Sequence, residues 1–366
     1  MNRLLPVSGD YYRYTRFIGT GGVGSGIVFN LDGNHTIGRN ESRSGKLMPF
    51  RDYCKLHIIM HYPSVLLGRG RNGFFSYPIG NVGCDETGAA LLREMEEAGM
   101  DLTCVSRLQE SPTLYSVCFQ YPDKSGGNIT TSNSACHMLR PADIDRFMEA
   151  LPAGETEIVL AAPEVPLDTR IRLLEHGRNR GSFNIGAFLS FEVAALMSEN
   201  IVPLLDLLAV NIDEAQAIAG ITEENASPKE IVEKCSKLLS GINPDIMLII
   251  TCGAQGSYSF YKDEIEHVPV LPMDVVSTAG AGDAFLGGTI SGLCCGLPFI
   301  KGRSDVVFAE TPLSSAVELG TLISNLKVTS PDTIYHALDT ELLRNFCIGR
   351  EFRLSGGFAQ MLGLNS

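Results

Sequence analysis

The stretch Ser277-Thr278-Ala279-Gly280-Ala281-Gly282-Asp283-Ala284-Phe285 joins a small-residue turn, a helix start and one acidic side chain within a single short segment. Gly280, Ala281 and Gly282 carry almost no side chain, so the backbone can approach a ligand closely and aim its N–H groups at it. Downstream, Ala284, Phe285, Leu286, Thr289, Ile290 and Leu293 recur at helical spacing, which places the turn at the positive end of a helix. The run therefore reads as an anion cradle beside a carboxylate. Donors so placed suit phosphoryl transfer, with Asp283 accepting a proton from a substrate hydroxyl. The plainer alternative is an Asp that stabilises a helix start by about 0.3–1 kcal/mol.

Working outward, short apolar runs alternate with amphipathic helices, the pattern of a mostly parallel sheet covered on both faces. Core strands are expected at 16–19, 74–79, 157–161, 181–185, 207–211 and 247–251, and helices at 53–67, 87–98, 212–220, 228–240, 281–295 and 312–325. Two regions break the rhythm: 26–51 is polar and turn-rich, and 113–131 alternates before a Gly-Gly turn. Both read as strands of a small accessory sheet that would cover the open edge as a lid.

The bulk properties exclude several classes. A chain of 366 residues, 44% apolar, has enough material for a substantial core. Its net charge of −13 disfavours nucleic acid and anionic membrane as partners. Residues 1–10 lack the charged-then-apolar pattern of a signal peptide, and no apolar run approaches a membrane span, so a cytoplasmic location is expected. The ten cysteines contain no CxxC pair, which favours buried reduced thiols over a metal cluster.

Two further segments place polar groups at strand carboxyl ends, where open α/β sheets bind ligands. Asn211-Ile212-Asp213-Glu214 follows one apolar run. Asn211 could order a phosphate or a metal-bound water and Glu214 could hold a hydrated Mg²⁺, or the two simply form a helix cap. Thr251-Cys252-Gly253-Ala254-Gln255-Gly256 follows another, as a nucleotide turn or a plain turn into the strand 257–261. A rival signal is Gly19-Thr20-Gly21-Gly22-Val23-Gly24, which matches GxGxxG with Glu41 about twenty residues on. That motif must open a helix, and 25–38 has little helical period. His57 and His61 share one helix face, as zinc ligands can, but packing or a substrate-side place is favoured; Asp52, Lys55 and His57 could line a polar substrate site.

Together these segments resemble the PfkB, or ribokinase-like, family of ATP-dependent carbohydrate kinases. Gly80-Asn81-Val82-Gly83-Cys84-Asp85-Glu86-Thr87-Gly88 resembles the family's GxVGxDxxG element and Glu97-Ala98-Gly99-Met100-Asp101 its helix-end GVD. Asn211–Glu214 matches NxxE, 251–256 resembles TxGxxG, and Gly280-Ala281-Gly282-Asp283 matches the GAGD signature. The resemblance implies a three-layer α/β/α sandwich with a mostly parallel central sheet and a β-sheet lid. It implies that Gly280, Ala281 and Gly282 form the anion hole, that Asp283 is the general base, and that Asn211 and Glu214 govern Mg²⁺ and the phosphates. ATP would contact Thr251, Gly253, Gly256 and Thr278, with adenine near 251–256 and 316–325.

Departures from the family concern ions and substrate. The usual Asp-Thr-Thr before GAGD reads Ser277-Thr278-Ala279 here, and the lost carboxylate calls into question the monovalent-cation activation of many relatives. The usual sugar-binding Gly-Gly and Asn are not clear, so Asp32, Asp52, Lys55 and His57 stand as substrate candidates. The expectation is a single kinase domain over 1–340 with lid strands from about 26–51 and 113–131, and a C-terminal extension over 341–366. It would phosphorylate a hydroxyl of a sugar or sugar-like molecule and could pair through its lid as a homodimer. The alternatives are a catalytically silent binding or regulatory module of the same fold and a dinucleotide-dependent oxidoreductase.

Overall fold

Alternation of apolar side chains along each central strand decides the architecture. Phe17, Ile158, Leu207 and Ile249 enter one hydrophobic cluster while their neighbours Ile18, Val159, Leu208 and Leu248 enter a second on the opposite face. A sheet that is apolar on both faces must be covered on both. The computed structural model describes residues 13–364, except 69–72, 124, 152–155, 199, 223–225, 303–305 and 309. The reading of residues 1–10 as free of a signal segment therefore lies outside the described residues.

The strands are β1 (Arg16–Thr20), β2 (Gly24–Leu31), β3 (Gly45–Tyr53), β4 (Phe75–Gly83), β5 (Val105–Leu108), β6 (Leu114–Gln120), β7 (Gly126–Thr130), β8 (Glu157–Ala161), β9 (Phe183–Ala187), β10 (Leu207–Asn211), β11 (Met247–Thr251), β12 (Ser257–Tyr261) and β13 (Glu264–Val268). Nine of them form the main sheet in the order β13-β12-β11-β10-β9-β8-β1-β4-β5. The run from β11 to β5 is parallel, and β12 and β13 close one edge antiparallel. The remaining four make a separate sheet, β3-β2-β6-β7, which is the expected lid. Its β7 is exposed along its whole length.

Helices α1 (Lys55–Leu67), α2 (Glu86–Glu97), α8 (Ala281–Cys294), α9 (Ala316–Lys327), α10 (Thr340–Gly349) and α11 (Gly356–Met361) feed the first cluster. The second is covered by α3 (Pro141–Ala150), α4 (Leu167–Arg180), α5 (Val193–Ser198), α6 (Ile212–Ile218) and α7 (Pro228–Ile242). No helix among the described residues is long and apolar enough to cross a membrane.

Several boundaries differ from the sequence expectation for identifiable reasons. Gly181 is not the start of a strand; it is the left-handed cap of α4, at φ 71°, so β9 begins two residues later. The helix expected from 312 begins at Ala316, because Ser315 caps it in a reciprocal bond with Glu318. The strand expected at 74–79 runs on to Gly83 through register with β5. The GxGxxG segment opens no helix: β1 ends at Thr20 and β2 begins at Gly24. Gly22 is required for space, since a Cβ there would meet Glu164 at 2.6 Å. That geometry overturns the dinucleotide alternative.

All ten cysteines are free, but burial is not uniform: Cys84 is exposed and Cys118, Cys252 and Cys295 are half-buried. The tail after 340 folds back on the body, where Leu343, Cys347 and Phe358 are buried in the first cluster.

Candidate active site

Strand ends and one helix start converge at the carboxyl edge of the sheet. The cradle opens at Gly280, which caps α8 in the left-handed region at φ 76° and has no room for a Cβ against the Thr333 carbonyl. The Ala281 amide turns back onto Thr278 O at 3.1 Å, so the amides of Gly282 and Asp283, which a helix start leaves without intrahelical partners, head the cradle. Asp283 is half-buried. Burial raises its pKa, Lys55 pulls it down and Asp52 adds to the rise.

Two cavities meet here. One, of about 570 Å³, is mainly apolar, with walls from Val268, Leu271, Met273, Phe285 and Val328, and is of the size that ligand sites commonly have. The other, of about 260 Å³, is more polar and is lined by Lys55, Glu214, Asp283 and Leu286. Asn211, Thr251 and Gly282 line both, so the cradle stands at their junction. The larger cavity also takes in Gly253, Gly256, Thr278, Ala281, Thr321 and Asn325, joining the residues expected around a nucleotide.

Asn211 and Glu214 form a capping box at the start of α6: Glu214 N donates to Asn211 Oδ1 at 2.8 Å and Asn211 N to Glu214 Oε2 at 2.9 Å. The cap is thus formed by the same pair that the sequence offered as ligands. Glu214 is almost fully buried, yet lines the polar cavity, and burial raises its pKa. One carboxylate with a second close by fits a hydrated Mg²⁺, which keeps several of its waters. The mainly apolar cavity with a glycine-rich turn at one side fits ATP.

Lys55 is the first residue of α1. Burial opposes its charge, but Asp283, Glu214 and Glu164 outweigh it and hold its pKa above the ordinary value. Asp52, at the end of lid strand β3, is half-buried and accepts from Ser116 Oγ at 3.4 Å and from Cys118 Sγ at 3.2 Å.

Two substrate candidates do not reach this place. Asp32 lies exposed beyond the end of β2, at the far tip of the lid, where its amide bonds Ser44 O. His57 is wholly buried on α1, edge-on to Tyr53, with His61 one turn on. Its ring nitrogens have no hydrogen-bond partner among the described residues. Burial holds the His57 pKa down at about 3 and His61 well below its usual value. Neither histidine belongs to a cluster of three or more His, Cys, Asp or Glu side chains able to hold a metal ion among the described residues, and both are buried in the core, so these imidazoles are packing residues.

Glu164 is the residue the sequence reading missed. It follows β8, adopts φ 76°, a strained value for a side-chain-bearing residue, and accepts the Lys55 amide at 3.3 Å, capping α1 from a distant segment. Burial raises its carboxyl pKa to about 7, against a bond from the Cys54 thiol and the Lys55 charge. The signal was present in Pro163-Glu164-Val165-Pro166, an acid between prolines at a strand's carboxyl end.

The profile of the pfkB family carbohydrate kinases matches residues 70–341. The chain is 27% identical over 281 residues to the bifunctional ribokinase/ribose-5-phosphate isomerase A of Fructilactobacillus sanfranciscensis, a match covering 75% of this chain and 49% of that protein. It is 24% identical over 217 residues to the ribokinase of Staphylococcus aureus, covering 59% of this chain and 67% of the relative. The chain thus spans about half the length of the first relative and about two thirds of the second. The solved ribokinase of Giardia lamblia superposes with a TM-score of 0.72 at 16% identity, covering 92% of this chain and 99% of that one, a likeness of fold. Since the matched segment runs from β4 through the cradle to the first residues of α10, the chain belongs to the pfkB family of carbohydrate kinases.

Proposed function

We propose that this protein transfers the γ-phosphoryl group of Mg·ATP to a hydroxyl of a sugar or sugar-like small molecule, with Asp283 as general base. The observation that carries this reading is that Asp283 lines the polar cavity directly beside Gly282, which lines both the polar cavity and the apolar one. Bound Mg·ATP would supply the phosphoryl group and the positive charge that screens it.

The chain's own residues do the rest. The amides of Gly282 and Asp283 and the α8 dipole face the place where negative charge develops. Asp283 takes the hydroxyl proton on its carboxylate, its basicity raised by burial and kept within a useful range by Lys55. Lys55 and Glu164 fix the start of α1 and thereby the floor of the polar cavity. The lid would exclude water by folding over that cavity, with Asp52 the lid group nearest the base in charge. Exposed Leu47, Tyr115 and Ile129 on the lid give a second copy an apolar surface to cover, which favours a homodimer.

An ATP-consumption screen over sugars, sugar acids, sugar phosphates and nucleosides tests the assignment. Substrate-dependent ADP release with a phosphorylated product is expected. Tight binding of one of these compounds without turnover would instead indicate a silent binding module.

A further inference from the structure

Beneath the cradle lies a buried cation. Lys327, the last residue of α9, has no solvent exposure, and its Nζ donates to the Ser277 carbonyl at 3.0 Å. A lysine at a helix carboxyl end is common, because it complements the dipole from the surface. This one is enclosed, on a helix whose other buried positions include Val317, Leu322, Ile323 and Leu326. Such a site ordinarily takes an apolar side chain, since burying an ammonium is costly unless its charge is used.

The use is visible in what surrounds it. The same helix end receives two further bonds from the turn, Val276 N and Ser277 N to Val328 O at 2.8 and 3.2 Å. One turn earlier, Ser324 Oγ donates to Ala281 O at 3.0 Å, within the cradle itself. On the other flank Gly280 abuts the Thr333 carbonyl, and Thr333 Oγ1 donates to Arg51 O of lid strand β3 at 3.2 Å. Burial draws the Lys327 pKa down to about 8, against the pull of Asp332, so the side chain is still mostly protonated at neutral pH. A positive charge thus sits where the segment leading into the anion hole meets the helix that braces it.

The family resemblance implies that a monovalent cation acts in relatives whose turn before the cradle carries an acid. The residues present here do not fit that ion: the acid is replaced by Ser277, and the Ser277 carbonyl is taken by an ammonium. We propose that Lys327 is a built-in substitute for the exchangeable monovalent cation, a positioning residue that fixes the anion-hole turn and makes turnover independent of K⁺. The proposal rests on the kinase reading for its catalytic consequence, while its structural part, a site closed to K⁺, stands separately.

The test uses the full chain with K⁺, Na⁺ or tetramethylammonium chloride exchanged at constant ionic strength. Two readouts are taken: the thermal midpoint, and kcat and KM on the best acceptor from the screen. For the unaltered protein, K⁺ is expected to give no midpoint shift relative to tetramethylammonium and a kcat change under about twofold. Lys327→Met is expected to lose about tenfold or more in kcat with KM for ATP changed less, and to regain part of it with K⁺ or methylammonium. A K⁺-specific midpoint rise or severalfold K⁺ activation of the unaltered protein would overturn the proposal. So would Lys327→Met with unaltered kcat and no new response to ions. If that variant does not fold, the ion series on the unaltered protein decides. Absence of any phosphotransfer would count against the kinase reading alone, and the midpoint series would still judge the closed site.

Discussion

The cradle half of the site and the lid half are built in different ways. Around the cradle, the groups that face a ligand are backbone amides and short side chains set by local sequence: Gly280 at φ 76°, the Asn211–Glu214 cap, and the turn after β11. On the lid side, the charges that act on one another come from separate segments: Asp52 from β3, Lys55 from α1, Glu164 from the loop after β8, and Asp283, of which Lys55 and Asp283 line the polar cavity. A site made of backbone tolerates few residue types at each position, and so it leaves a pattern. A site made of side chains that meet only in three dimensions leaves almost none.

If that contrast holds, removing charge from the lid-side cluster should perturb the base electrostatically while sparing the nucleotide cavity. Among variants that leave Asp283 itself in place, Lys55→Met is expected to have the largest effect, a loss of about 10–100-fold in kcat/KM. Lys55 lowers the Asp283 pKa, so without it the base ionises at higher pH, and the acid limb of the pH–rate profile should move to higher pH. An unmoved limb would separate Lys55 from the base.

His57 lies behind the lid-side cluster and tests the fold more than the chemistry. Its pKa of about 3 in the folded protein is far below the ordinary histidine value, so between about 6.5 and 3 the unfolded chain binds the extra proton. Stability is full above that window and falls as pH drops through it, by up to about 1.4 kcal/mol per pH unit for such a histidine. His57→Phe, measured by urea unfolding at pH 7 and pH 5, should shrink the difference between the two. The smallest effect is expected for Asp32→Ala at the lid tip, with kcat/KM within about threefold of the unaltered protein. A large loss there would mean that the lid tip closes onto substrate.

The same contrast explains what could be read in the sequence. Strands β8, β10 and β11 were legible to the residue because each is a short apolar run ending in a polar or small residue at the sheet's carboxyl edge. The cradle was legible because Gly280 and Asp283 are three positions apart on one helix start. Glu164 was not, since its role depends on a bond to Lys55 from more than a hundred residues away. For His57 the sequence left packing and a substrate-side place both open, because its clustering with Asp52 and Lys55 suggested a polar site, and the fold turns it into the core. Lys327 escaped notice for a related reason: a lysine ending a helix looks like a solvated cap until its burial is known.

The central claim is that Asp283 works as a base beside the meeting of the two cavities. It is tested most directly by Asp283→Asn, with kcat measured on the best acceptor and ADP affinity measured by calorimetry. The account predicts a fall in kcat of about 10²–10⁴-fold with ADP affinity nearly unchanged. Turnover equal to that of the unaltered protein would contradict it.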